Sequence, residues 1–241
     1  MVNNKLILFD IDDTLFDNYD YKMKSREKTL SYLLLELKKY NINKTFEELV
    51  NILDIYYRKD TGSSELYEKL VNHFNIPEEN KIKLITELVI KHRSLKFDFK
   101  LCSGVIEILN NLKNKNFVLG IASSGNGIRQ WEKLIMTNIE NYFETKFVFI
   151  TSEINSKKRR NCKDKKFYKL INSKLKNYNF EKIYMIGNKL TSDIIESRKV
   201  GFKSILVKSY CFNQEYELTC KKLKVPIISN LLQLTKVLEN Y

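Results

Sequence analysis

A parallel α/β sheet interrupted by a block of helices is the fold class this sequence predicts, on three observations. The apolar run Leu6-Ile7-Leu8-Phe9 reads as a strand that ends in acidic residues at Asp10, Asp12 and Asp13. Residues 17–99 carry only helical periodicity. From Lys100 onward, strand-like and helix-like segments alternate, which implies parallel strands joined by covering helices. Residues 1–16 and 100–241 are therefore expected to form an α/β core with helices on both faces, and residues 17–99 a small all-α domain inserted after the first strand.

The helical block divides into four segments, Tyr21–Tyr40, Thr45–Lys59, Ser63–Phe74 and Pro77–Leu95, each with apolar residues at spacings of three and four. Gly62 suits a break between the second and third, and Pro77 suits the first turn of the fourth. In the core, strands are expected near 117–122, 146–151, 182–187, 203–207 and 226–229. Helices are expected near 104–115, 126–138, 164–177, 192–200 and 230–240.

Composition narrows the class of molecule. With 43% hydrophobic residues in 241, the chain has ample material for a buried core. No apolar run approaches the ~20 residues of a membrane-spanning helix. A core strand so close to the N-terminus leaves no room for a secretory signal. Cys102, Cys162, Cys211 and Cys220 lack metal-type spacing, so reduced thiols in a cytoplasmic setting are expected. His73 and His92 have no matched partners and read as incidental helix residues.

Chemistry concentrates at the end of the first strand. Asp10 and Asp12 are two apart, so in extended chain both point the same way. Thr14 adds a hydroxyl donor. Carboxylates this close repel unless a cation or shared proton intervenes. The economical cation is Mg²⁺, a hard ion that takes oxygen ligands and partners phosphate.

The pattern D-x-D-x-T-L after an apolar strand resembles the first motif of the haloacid dehalogenase superfamily, and three later segments resemble its other motifs in order. Phe117-Val118-Leu119-Gly120-Ile121-Ala122-Ser123-Ser124-Gly125 is similar to the second, with Ser123 at the phosphoryl-binding position and Ser124 beside it. Ile183-Tyr184-Met185-Ile186-Gly187-Asn188, followed by Asp193, is similar to the fourth, with Asn188 where relatives carry an acid. The third supplies a cation ahead of a helix. Aligning Asp164-Lys165-Lys166-Phe167-Tyr168 with that helix start puts Cys162 at the expected lysine, so adjacent Lys163 is chosen, with Arg160 second.

The resemblance spans essentially the whole chain and implies a Rossmann-like core with an α-helical cap inserted after the first motif. It implies an Mg²⁺-dependent phosphomonoester hydrolase acting on a small phosphorylated metabolite, a nucleotide or sugar phosphate. Asp10 would be the nucleophile that forms an aspartyl phosphate, and Asp12 the acid and base of the two half-reactions. Lys163 would complete the catalytic set, Thr14, Ser123, Ser124 and Arg160 would bind the substrate, and Asp10, Asp12, Asn188 and Asp193 would hold the metal. Because true dehalogenases of the superfamily usually lack the second aspartate, Asp12 favours phosphate over halide. The connections near Asp17–Asp20 and Phe97–Lys100 would be hinges, and Arg58–Gly62 a specificity loop.

Charge supports a competing reading. Of the net +13, the cap contributes almost nothing, and residues 100–241 carry 26 basic against 12 acidic side chains. Residues 157–166 hold seven cations. Such a patch beside a phosphate site would raise encounter rates with anions. It also fits a catalytically weak or inactive protein of this fold that binds a partner or nucleic acid through its basic face. A Lys, Asn and Ile bias from an A+T-rich genome, with Lys on solvated surface, accounts for much of the excess. Intact Asp10, Asp12, Thr14 and Asp193 favour the enzyme, whereas oligomeric state is not legible.

Overall fold

The computed structural model describes residues 4–57, 63–95, 99–154 and 162–241. The expected specificity loop 58–62, part of the second hinge and the basic run 157–160, Arg160 included, lie outside the described residues. The chain divides into two compact units, Met1–Asn18 with Phe99–Tyr241, and Tyr19–Asp98.

β1 (Lys5–Phe9) opens the larger unit, and its last four residues are fully buried. A strand covered on both faces needs apolar side chains on both. Leu6 and Leu8 accordingly join one hydrophobic cluster, and Ile7 and Phe9 another.

The smaller unit is all helical: α1 (Tyr19–Lys38), α2 (Phe46–Tyr57), α3 (Ser63–Asn72) and α4 (Glu78–Arg93). Leu30, Leu33 and Leu37 of α1, at helical spacing, share one core with Leu49, Leu53, Tyr67, Leu70, Leu84 and Leu88. Pro77 stands one residue outside α4 as its N-cap rather than within the first turn.

His92 is no incidental helix residue. Its Nδ1 is 3.0 Å from the Tyr67 hydroxyl, its carbonyl accepts from Tyr21, and burial, with Arg26 adding, pushes its pKa down to about 4. The unfolded chain, with His near 6.5, takes up a proton first as the pH falls. Stability contributed by neutral His92 is therefore full above about pH 6.5 and is lost as the pH drops toward 4, up to about 3 kcal/mol in all. His92→Gln keeps an acceptor for Tyr67 and should show a smaller drop in Tm between pH 7 and pH 4.5 than wild type. Equal drops would remove His92 as the cause.

The chain returns to the larger unit through α5 (Val105–Asn114), β2 (Val118–Ser123), α6 (Gly127–Met136), β3 (Val148–Ile150), α7 (Thr151–Ile154) and α8 (Lys165–Leu175). It then runs through β4 (Lys182–Gly187), a π-helical turn at Leu190–Ile195, α9 (Glu196–Arg198), β5 (Lys203–Val207), α10 (Gln214–Leu223), β6 (Ile227–Ile228) and α11 (Leu234–Asn240). The strands form one parallel sheet in the order β3-β2-β1-β4-β5-β6. Val105, Ile108 and Leu112 of α5 and Leu234 of α11 cover one face, while Phe167, Tyr168 and Ile171 of α8 cover the other.

β1 lies between β2 and β4, with Phe9 in register with Ile121 on one side and Ile186 on the other. The chain moves outward through β2 and β3, then crosses back to place β4 beside β1. Such a reversal leaves a crevice at the carboxyl ends of the central strands. Asp10, Ser123 and Asn188 stand at those three neighbouring ends.

Three expectations are corrected. Strand 146–151 is confined to Val148–Ile150, because Thr151 already begins α7. The helix at 192–200 is instead the π-helical turn followed by one short helical turn. α10 is additional; Cys220 is buried with Tyr216 and Leu223 of the same face packed against its cluster, and Asn213 caps the N-terminus by accepting from Tyr216 N.

Candidate active site

Asp10 leaves β1 with its N–H still donating to Ile186 O of β4 at 2.8 Å, so the sheet continues one residue beyond the strand and fixes the carboxylate's origin. The chain then turns sharply: Leu15 N and Phe16 N both donate to Ile11 O, and Asp13 adopts a left-handed φ of 58°. Aspartate tolerates that region better than most residues. The turn buries Thr14, whose Oγ1 has no hydrogen-bond partner.

From β2, Ser123 Oγ donates to Asp10 Oδ1 at 3.0 Å. The loop beyond it is pinned to α7, with Gly125 N donating to Thr151 Oγ1 and Gly127 N to Ser152 Oγ. Ser124 supplies its carbonyl to Gln130 Nε2 at 2.7 Å.

Lys163 precedes the α8 N-cap, Asp164, whose carboxylate accepts from Phe167 N. That cap aims Lys163 inward, where it is 1% exposed. Its Nζ lies 2.7 Å from Asp10 Oδ1, 2.5 Å from Asp193 Oδ1 and 3.3 Å from Ala122 O. Burial alone would lower the pKa of Lys163, but the two carboxylates outweigh it and raise the pKa. Cys162, the strict motif position, is exposed.

Asp193 sits in the π-helical turn, and burial with Asp10 nearby pushes its carboxyl up while Lys163 opposes. Its Oδ2 accepts from Lys189 N at 2.9 Å. A Cβ on Gly187 would lie 2.2 Å from that oxygen, so only glycine fits there. A π-helical turn of this kind is rare and is found mostly at functional sites.

Asn188 donates Nδ2 to Ser209 Oγ at 3.1 Å, and Ser209 Oγ also accepts from Cys211 N. With Nδ2 turned to Ser209, the amide oxygen faces the other side. Asn188 Oδ1 is thereby left buried with no hydrogen-bond partner, an acceptor without a donor.

The structure thus joins Asp10, Ser123, Lys163 and Asp193 by direct contacts, and topology sets Thr14 and Asn188 at the same end of the sheet. Asp12 is held differently. Its Oδ1 takes Lys133 Nζ at 2.5 Å and also accepts from Asn18 Nδ2, and its Oδ2 accepts from Gln130 Nε2 at 3.1 Å. Both of its oxygens thus have protein partners, which a metal at this carboxylate would have to share.

Lys133, Gln130 and Asn18 were not anticipated. The available signal is polarity on the buried face of α6: Gln130 and Lys133 stand three apart where an amphipathic helix places apolar residues.

The donors available to a metal are all oxygens, from Asp10, Asp193 and the unsatisfied Oδ1 of Asn188, a set that suits Mg²⁺. Among the described residues, no group of three or more His, Cys, Asp or Glu could hold a metal ion.

A family model described as haloacid dehalogenase-like hydrolase matches residues 7–207. The chain is 29% identical over 238 residues to a glyceraldehyde 3-phosphate phosphatase of Pyrococcus furiosus, covering 98% of this chain and 93% of that one. It is 28% identical to the protein of the same name from Methanothermobacter thermautotrophicus, covering 97% and 99%. Among solved structures, the HAD-hydrolase YfnB of Bacillus subtilis, crystallised bound to magnesium, superimposes with a TM-score of 0.63 at 18% identity, covering 97% of this chain and 98% of that one. At that identity the likeness shows the fold.

Proposed function

The chain belongs to the haloacid dehalogenase-like hydrolase family, and on that premise we propose that it is a phosphatase of small sugar phosphates that works through a phosphorylated Asp10. Relatives named glyceraldehyde 3-phosphate phosphatase, matched over nearly the whole chain, support a three-carbon phosphate as substrate. The observation that carries the chemistry is the contact of Asp10 with both Ser123 and Lys163 at the switch point of the sheet.

In the first half-reaction a carboxylate oxygen of Asp10 forms a bond to phosphorus while the bond to the substrate oxygen breaks. Asp12 delivers a proton to the departing alkoxide. In the second, water attacks the phosphorus, Asp12 takes its proton, and the bond to Asp10 breaks to release phosphate. Lys163, Ser123 and the unsatisfied Thr14 hydroxyl would bind phosphoryl oxygens, lowering the repulsion that a dianion meets on approaching a carboxylate. Mg²⁺, held by Asp10, Asp193 and Asn188, would neutralise phosphoryl charge. The helical unit is proposed as the cap that selects the leaving group, and the thiols of Cys102, Cys162, Cys211 and Cys220 support a reducing, cytoplasmic setting.

The test is release of phosphate from glyceraldehyde 3-phosphate with Mg²⁺ and with EDTA. Turnover that needs the metal is expected, and none under either condition would overturn the reading. Asn188→Asp adds a negative charge to the metal set and should lower the Mg²⁺ midpoint by about 10-fold, as one extra charge–charge contact at intermediate dielectric allows. An unchanged midpoint, measured by Mg²⁺ titration of thermal stability, would remove Asn188 from the metal site.

A further inference from the structure

Most side chains of the site come from the ends of strands or the segments that follow them, but Gln130 and Lys133 come from the α6 helix. Gln130 and Lys133 of α6 are 3% and 9% exposed and share one helical face. A buried ammonium is costly unless paired, and Lys133 meets Asp12 Oδ1. Gln130 Nε2 reaches Asp12 Oδ2 from the same rigid element. An aspartate held at both oxygens keeps one rotamer, and the turn that carries it is itself fixed by backbone hydrogen bonds.

We propose that Lys133 is a positioning residue for proton delivery to the leaving group. It acts through Asp12, by holding that carboxyl in a single orientation. Oδ1 accepts from both Lys133 and Asn18, and Oδ2 accepts from Gln130, so the carboxyl is gripped from two sides. Gln130 has a second attachment, since its Nε2 also lies 3.1 Å from Ser123 Oγ and 2.7 Å from Ser124 O. It therefore couples the proton donor to the phosphoryl-binding hydroxyl. Lys133, contacting Asp12 on the other side, serves the leaving group.

This inference rests on the reading of Asp12 as acid, and leaving-group dependence tests it. The kcat/KM of the full-length protein is measured with phenyl phosphate, whose leaving phenolate is strongly basic, and with p-nitrophenyl phosphate, whose leaving group departs without a proton. Because kcat/KM reports steps through the first phosphoryl transfer, the later hydrolysis does not enter. Lys133→Met should lower kcat/KM for phenyl phosphate by about 10-fold or more and for p-nitrophenyl phosphate by under about 3-fold. Asp12→Asn should give the same pattern more deeply, and Gln130→Met should lower both substrates through Ser123, with a further loss for phenyl phosphate through Asp12. Equal losses in Lys133→Met, or no loss with phenyl phosphate, would overturn the proposal, because a merely structural role does not distinguish leaving groups. If the Met variant does not fold, Lys133→Gln is measured against the same two outcomes. A wild type inactive on glyceraldehyde 3-phosphate as well overturns the functional reading itself, whereas selective loss in Asp12→Asn without it in Lys133→Met overturns only this inference.

Discussion

Asp10→Asn should lower turnover by about 10⁴-fold or more, the scale seen when a covalent nucleophile is removed, while the protein stays folded. An amide is too weak a nucleophile to open the phosphoester. Its oxygen still accepts from Ser123, and Lys163 keeps Asp193 as a partner, so the packing beneath the site survives. Circular dichroism should therefore show a melt close to that of the wild type. A variant that retains more than about a hundredth of the activity would shift the nucleophile away from Asp10.

Lys163→Met should have the largest effect on stability. Its ammonium is sandwiched between two buried carboxylates, and deleting it leaves two like charges with no cation. Removing one partner of a buried pair costs about 3 to 5 kcal/mol, on the order of 10 °C in Tm for a chain of this size. Methionine fills nearly the same volume, so the loss reports charge rather than a cavity. The deficit should be partly recovered by Mg²⁺, because the ion neutralises the same two carboxylates. Melts with EDTA and with excess Mg²⁺ give the comparison, and a deficit insensitive to the metal would place the ion elsewhere. Activity should fall by about 100-fold or more even with Mg²⁺ present, since a fixed donor to the phosphoryl group is gone.

Much of this site is legible in the residues themselves. β1, β2 and β4 are short apolar runs buried on both faces of a parallel sheet, and each leads into a polar residue of the candidate site, so finding the strand finds Asp10, Ser123 and Asn188. Lys163 was harder to place because strict spacing points to Cys162. Asp164 resolves it, since a residue that caps α8 fixes which neighbour turns inward. Lys133 and Gln130 escape sequence reading for a different reason. Their partner, Asp12, is more than a hundred residues away, so the polar pair on the buried face of α6 is visible locally but what it meets is not. Asn188 was visible as a departure, but that its Oδ1 is left without a donor depends on Ser209 and on the fold that brings it close.

Covalent trapping addresses the central claim most directly. The wild-type protein, turning over glyceraldehyde 3-phosphate with Mg²⁺, is quenched in acid and digested, and the peptides are read by mass spectrometry. A phosphoryl group on the Asp10 carboxylate, absent from Asp10→Asn, is the expected result. A phosphoryl group on any other side chain, or steady turnover in Asp10→Asn, would contradict it.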